Sequence, residues 1–318
     1  MKRAFAAFVL AAVVLVPTIA SSATSEPNVG TIAFVRLGDD GLLHIYSIQP
    51  DGSGFRQLTH ANADDSQPAW SPDGGQIAFT RDTVSALPRV WVMNADGSGA
   101  HDLMPGKTGQ SPAWAASWFG PQIAFQRRGH IWTMLADGTQ QTQLPSPRGC
   151  SDSSPAASPR LIAFVRGCKS DDATSGIFTM GWNGADQSVA FPDFRGDVSY
   201  FDPSWSPGRL QLAYTDDEAG ENGGAEGIGH GNTFANYDFT RQIDGLNCIV
   251  DYHGYGNLIC DVRDPAWDPT GTSVVYEVDR KERRRLYILD AAGNAPPALL
   301  TRGFEAAWFA PPFHPSYA

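Results

Sequence analysis

One phrase returns along almost the whole chain, and its recurrence limits the fold more than any other feature. It has two halves. The first reads PAWSPDG from Pro68, PAWAAS from Pro112, PAASP from Pro155, PSWSPG from Pro203, PAWDPTG from Pro265 and AAWFAP from Ala306. The second is an Ile-Ala-Phe-like triplet ending at Phe34, Phe79, Phe125, Phe164, Tyr214 and Tyr276. After most triplets comes an alternating segment and a turn, as in HIYSIQPDGSG from His44 and VWVMNADGSG from Val90. Asp-Gly pairs between alternating apolar residues are strong hairpin signals, because Gly takes the positive φ that such turns need. Each repeat therefore predicts four strands: A ending at the Trp, B with the triplet, C alternating, and D after the Asp-Gly turn.

The order of the halves matters more than their number. The chain begins with a triplet that has no preceding Trp half and ends with a Trp half that has no following triplet. The two orphans complete one another if the C-terminal strand joins the first sheet, which also removes the exposed edges of an open array. The expected fold is all-β, a six-bladed β-propeller of four-stranded blades over residues 30–311, with a C-terminal strand completing the N-terminal blade. Composition agrees: 33 Gly and 23 Pro in 318 residues break long helices and suit short strands and turns.

Lys2 and Arg3 precede an apolar run from Ala4 to Val16, then Pro17 and small residues up to Ala23. That is the pattern of a secretory signal peptide over residues 1–23. The run is short for a bilayer span, and an uncleaved anchor is the alternative. The expected product is exported, periplasmic or extracellular, and monomeric. Its 34 Asp+Glu against 23 Lys+Arg give a net charge of -11, the wrong sign for nucleic acid, and no basic amphipathic stretch suggests membrane binding.

In a propeller the A-to-B and C-to-D turns share one face, and the B-to-C and D-to-A connections share the other. The first set is short and repetitive here, whereas the second varies, up to a connection of about thirty residues between Asp216 and Gly245. Variable loops on a rigid scaffold are the better place for recognition. Four cysteines in an exported chain favour disulfides. Cys150 and Cys168 are symmetric about Pro159, the centre of a shortened A-to-B turn, and Cys248 and Cys260 about Gly254, so these pairs face each other across hairpins. Blade four has Ala157 in place of the Trp, and the first bond would offset that lost packing.

The series Trp70, Trp114, Trp205, Trp267 and Trp308, one per blade in register, reads as packing between sheets rather than as a ligand-stacking set, and the Phe series likewise. Just before strand A lie Asp65, Gln110, Asp152, Asp202, Asp264 and Glu305. Because strand A lines the axis, these residues could ring the channel mouth and attract a basic side chain or a cation. The structural alternative is that each accepts backbone N–H groups of its own loop. The acidic, Gly-rich insertion from Asp216 to Asn232 reads as a mobile flap, since calcium-loop spacing is absent. Seven histidines form no metal-binding pair, and no Gly-x-Ser-x-Gly elbow is present, so no cofactor, metal site or catalytic residue is assigned. An enzymatic alternative remains: His44 and His130, equivalent at the start of strand C, working with a channel carboxylate as a carbohydrate- or peptide-acting lyase or hydrolase.

The WSPDG…IAF phrase resembles the WD40-like repeat of TolB-type propellers of bacterial envelopes, over roughly residues 30 to 310. The resemblance implies the propeller fold strongly and an activity only weakly, since similar repeats occur in propellers attached to peptidases. TolB carries an α/β domain ahead of its propeller; with seven residues between Ala23 and Thr31, that domain is expected to be missing. The resemblance further implies an envelope or extracellular protein as partner, in the manner of the peptidoglycan-associated lipoprotein that engages TolB-like propellers near their channel.

Overall fold

The computed structural model describes residues 30–105, 111–169, 175–193, 198–207, 211–218, 226–232, 261–280, 283–291 and 297–309. The proposed signal peptide, Gln110 and the Cys248–Cys260 pair lie outside them. All regular elements among the described residues are strands.

Blade 1 comprises β1 (Ile32–Leu37), β2 (Leu43–Ile48) and β3 (Arg56–Gln57). Blade 2 follows with β4 (Asp64–Trp70), β5 (Gln76–Thr83), β6 (Ala86–Asn94) and β7 (His101–Asp102). Blade 3 has β8 (Ala113–Phe119), β9 (Gln122–Arg127), β10 (His130–Leu135) and β11 (Thr142–Gln143). In blade 4 are β12 (Cys150–Ala157), β13 (Leu161–Cys168), β14 (Ser175–Gly181) and β15 (Ser188–Asp193). Sheet 5 shows β16 (Val198–Trp205), β17 (Gln211–Glu218) and β18 (Glu226–Asn232). Blade 6 has β19 (Asp261–Trp267), β20 (Ser273–Arg280), β21 (Arg283–Asp290) and β22 (Ala298–Arg302), after which β23 (Phe304–Trp308) returns to blade 1.

The result is an all-β propeller with five four-stranded antiparallel sheets and a sixth sheet of three strands among the described residues. The expected closure is present: β23 takes the innermost place in the order β23-β1-β2-β3, pairing Ile32 with Trp308 and Ala33 with Ala307. The Asp-Gly turns form as the sequence predicts. Asp51, Asp96 and Asp137 each accept the backbone N–H two residues on, at 2.9 Å, and Gly52, Gly97 and Gly138 take positive φ.

Apolar side chains fill the seams between sheets, and among the described residues they form a ring of six clusters. Phe34, Phe79, Phe125, Phe164 and Tyr214 are fully buried in these seams, as the triplet pattern predicts. Trp70 and Trp205 also reach back across a seam, donating Nε1 to the carbonyls of Ala307 and Ala156 at 3.1 Å. Blade 4, which lacks the repeat's Trp, recruits Trp182 instead: it packs against the cluster that contains Ile162, Phe164 and Met180 and donates to the Ser158 carbonyl at 2.9 Å.

Two expectations need correction. Trp114 is not the repeat's Trp, because β8 pairs Trp118, not Trp114, with Ile123, as β4 pairs Trp70 with Ile77. The A-to-B turn of blade 3 is only Gly120 and Pro121, so the register needs a Trp much closer to the triplet. Nor is the whole stretch from Asp216 to Asn232 a flap. Residues up to Glu218 belong to β17 and those from Glu226 to β18, paired from Gln211↔Asn232 to Asp217↔Glu226. Glycine weakens a strand but still supplies both ladder groups, and that is enough here.

The Cys150–Cys168 disulfide is formed, with the two residues directly opposed at the open end of the β12–β13 pair and Cα atoms 4.1 Å apart. It closes a loop of sequence separation 18. Loop entropy of that size contributes about 3 kcal/mol. Converting both cysteines to serine is expected to lower the unfolding free energy by about that amount, read from denaturant melts.

Candidate functional site

Midway along strand A of every blade, one extra residue interrupts the ladder. The extra residues are Gln67, Ala115, Ser154, Asp202, Asp264 and Glu305, all with φ between 47° and 52°. Such bulges re-aim side chains. Here all six line the axial cavity, a bore of about 320 Å³. Four of them, Gln67, Ala115, Ser154 and Glu305, also line a second cavity of about 400 Å³ with Asp82, Pro88 and Trp114. The bulge residues thus form the waist between the bore and a mouth on the variable face, and Trp114 belongs to that mouth.

A left-handed conformation is costly for residues other than Gly, about 1 to 2 kcal/mol each. Hydrogen bonds from blade to blade hold it in place. Glu305 Oε2 accepts the Gln67 N–H at 2.7 Å, and Gln67 Oε1 accepts the Ala115 N–H at 2.8 Å. Ser154 donates its hydroxyl to Asp202 Oδ1 at 3.1 Å. One half of the waist is neutral and the other carries three carboxyls, Asp202, Asp264 and Glu305, on consecutive blades.

The crowding shows in the acidity of Asp264 and Glu305. Burial, then the charges of Asp202 and Glu305, pushes Asp264 well above the ordinary carboxylate range; it also hydrogen-bonds Asp202. Glu277, fully buried behind it, is raised by desolvation despite Arg284 at 3.3 Å. Burial raises Glu305 to about 7, against the lowering effect of the Gln67 N–H. Between its ordinary 4.5 and about 7, the folded protein therefore holds a proton that the unfolded chain has lost. Stability should fall as pH rises through that window and level off above it. The Glu305→Gln variant is expected to flatten this slope by on the order of 2 kcal/mol across the window, measured by denaturant melts at stepped pH.

The structure brings together three of the six residues that the sequence picks out as a ring. Asp65 and Asp152 are fully buried outside both cavities. Each grips an arginine on the neighbouring strand with two hydrogen bonds: Asp65 to Arg81 at 2.7 and 2.8 Å, Asp152 to Arg166 at 2.7 and 2.9 Å. They stand two positions before the bulge residues, so their side chains turn into the blade rather than toward the axis. Sequence reasoning missed Gln67 and Ser154, which the residue before Pro68 and Pro155 would have marked. His44 bonds Asp40 of its own blade at 2.9 Å, away from the bore. Among the described residues, no His, Tyr, Lys or Arg lines the bore, and no three His, Cys, Asp or Glu are placed to hold a metal ion.

A comparison with curated proteins returned no match. The fold itself is widely shared. TolB from Acinetobacter baumannii superposes with a TM-score of 0.67 at 16% identity, covering 88% of this chain and 67% of that one. A chain of a nidogen/laminin complex gives 0.58 at 14% identity, covering 89% and 100%. An oligogalacturonate lyase in complex with manganese gives 0.53 at 10% identity, covering 85% and 72%. The fold is thus similar to that of TolB, to one from a protein–protein complex and to that of a lyase, and does not by itself separate binding from catalysis. At the level of sequence, the TolB beta propeller domain matches residues 9–209, more than half the chain, and the protein belongs to that family.

Proposed function

We propose that the protein is an exported, non-catalytic scaffold that binds an envelope or extracellular partner on its variable face and admits a basic side chain of that partner into the bore. In this reading sheet 5 is a complete four-stranded blade, and the disulfide and family fit an extracytoplasmic setting.

One observation carries the reading: three carboxyls converge on one side of a bore with no cationic side chain among its described lining. Burial, and then neighbouring negative charge, favours the protonated forms of Asp264 and Glu305, and an entering guanidinium or ammonium supplies a counter-charge. The mouth cavity, bordered by Trp114 and Pro88, offers space for the residues of the partner that flank the inserted side chain.

The test is fluorescence anisotropy with a short arginine-containing peptide. Binding should tighten as pH rises from about 6 to about 8, as Glu305 loses its proton and gains the charge that pairs with the cation. The Asp202→Asn/Asp264→Asn variant should bind at least about tenfold more weakly, the effect of losing a charge-assisted pair. Unchanged affinity in that variant, or weaker binding at the higher pH, contradicts the reading. A crosslinking pulldown from an envelope fraction with the same pair then identifies the natural partner.

A further inference from the structure

Three blades repeat one arrangement near the variable face. An arginine on strand B, two residues after the triplet's aromatic, lays its guanidinium over an aromatic ring of strand C. Arg81 lies 4.5 Å from the Trp91 centroid, Arg127 lies 5.0 Å from Trp132, and Arg166 lies 4.8 Å from Phe178. In blades 2 and 4 a strand A carboxylate completes the set, with the Nε and Nη2 edge of the arginine engaged by both oxygens of Asp65 or Asp152. The register places Asp65 opposite Arg81 and Asp152 opposite Arg166.

Blade 3 has the cation and the ring but lacks the carboxylate. The residue opposite Arg127 is Ala113, which is fully buried. Arg127 is only 8% exposed, and its Nε finds no acceptor among the described residues. Its one side-chain hydrogen bond among the described residues goes the other way, from Nη1 to Gln141 Oε1 at 3.4 Å. Two more nitrogens nearby lack partners among the described residues: His130 Nδ1, on the residue paired with Arg127, and Trp132 Nε1, on the ring beneath it. Arg128 follows in the two-residue turn to β10, where it bonds Ser111 Oγ, and its charge helps depress Arg127 after burial has done so. A buried cation with an idle donor edge is costly, and two sister blades show what satisfies it.

We infer that the seam between blades 2 and 3 holds a binding site for a small monocarboxylate of formate or acetate size, gripped by the Nε edge of Arg127 where the Asp carboxyl sits in blades 2 and 4. The size follows from the substitution: an Asp side chain exceeds that of Ala by one carboxyl group. The chemical class follows from the fork, since a guanidinium edge matches two carboxylate oxygens in one plane. Arg127 lies directly before the B-to-C turn on the variable face, where Arg128 is exposed. This site is separate from the bore and independent of any partner bound there.

The test compares melting temperatures of the whole protein in sodium formate and in sodium chloride at equal ionic strength. At about ten times the dissociation constant, formate should raise the wild-type Tm by about 3 °C above chloride. The Ala113→Asp variant, which supplies the carboxylate internally, should melt higher than wild type in chloride and show no formate-specific rise. The Arg127→Met variant, which keeps an unbranched apolar stem and removes the fork, should also lose the rise, and it decides the matter if an added Asp is not tolerated. A wild type indifferent to formate, or a rise that persists in Arg127→Met, overturns the inference.

Discussion

Replacing Phe309 with alanine is expected to destabilise the protein by about 3 to 5 kcal/mol, the range for a buried aromatic truncated to Ala. Phe309 is the residue after β23 and is 1% exposed. Its ring sits 5.6 Å from that of Trp70, and a Cβ added at Gly74 would lie 2.7 Å from it. It therefore caps the A-to-B turn of blade 2, while its own N–H donates to the Thr31 carbonyl of blade 1 at 3.0 Å. One side chain from the end of the chain thus ties blade 1 to blade 2. Guanidinium melts should show the midpoint falling without a large change in slope. Leu37→Ala, at a side chain 58% exposed, should shift stability by less than about 0.5 kcal/mol.

The second large effect is expected at Asp65. Its carboxylate is fully buried against Arg81, so Asp65→Ala leaves an uncompensated guanidinium in the seam and should cost about 3 to 5 kcal/mol. The double variant Asp65→Ala/Arg81→Met should recover most of that loss, because removing both charges removes the penalty of burying one alone. If the single and double variants melt alike, the pair contributes packing rather than charge. The same measurement separates the two kinds of carboxylate in strand A. Asp202→Asn, at a side chain that borders the bore, should cost under about 1 kcal/mol, because the amide can still accept from Ser154.

Much of this architecture was legible because it is written in repeats. Each Ile-Ala-Phe triplet marks a strand whose aromatic is buried in a seam, and the unmatched halves at the two ends name the strands that must meet. The Asp-Gly turns were equally readable, since the Asp carboxylate and the Gly φ are local requirements. The misplaced Trp114 shows where such reading fails. A PAW triplet is a local match, but the tryptophan that packs is chosen by register across the A-to-B turn, and Trp118 lies at the pairing distance from Ile123. The glycine-rich stretch after Asp216 failed differently: composition there argues against a strand, yet the neighbouring β17 offers an unpaired edge that only needs backbone.

The candidate site was half legible for one geometric reason. Asp202 and Asp264 directly precede a Pro, whereas Asp65 and Asp152 lie two residues earlier, an offset that the sequence displays but that gains meaning only with the bulge. The extra residue turns the position before Pro to the axis and leaves the earlier one inside the blade. Without the bulge, both sets look like one ring. The orphaned Arg127 was hidden by the same slip, since aligning on Trp114 conceals that Ala113 occupies the place of Asp65.

The central claim is that the chain closes on itself, because only then do Asp202, Asp264 and Glu305 meet around one bore and only then does Glu305 hold the Gln67 bulge. Hydrogen exchange followed by mass spectrometry tests it most directly. Amides of β23, from Phe304 to Trp308, should exchange as slowly as those of β1 and together with them, in the slowest class of the protein. Rapid exchange across β23 while β1 stays protected would mean that the end of the chain is not part of the first sheet, and would contradict the account.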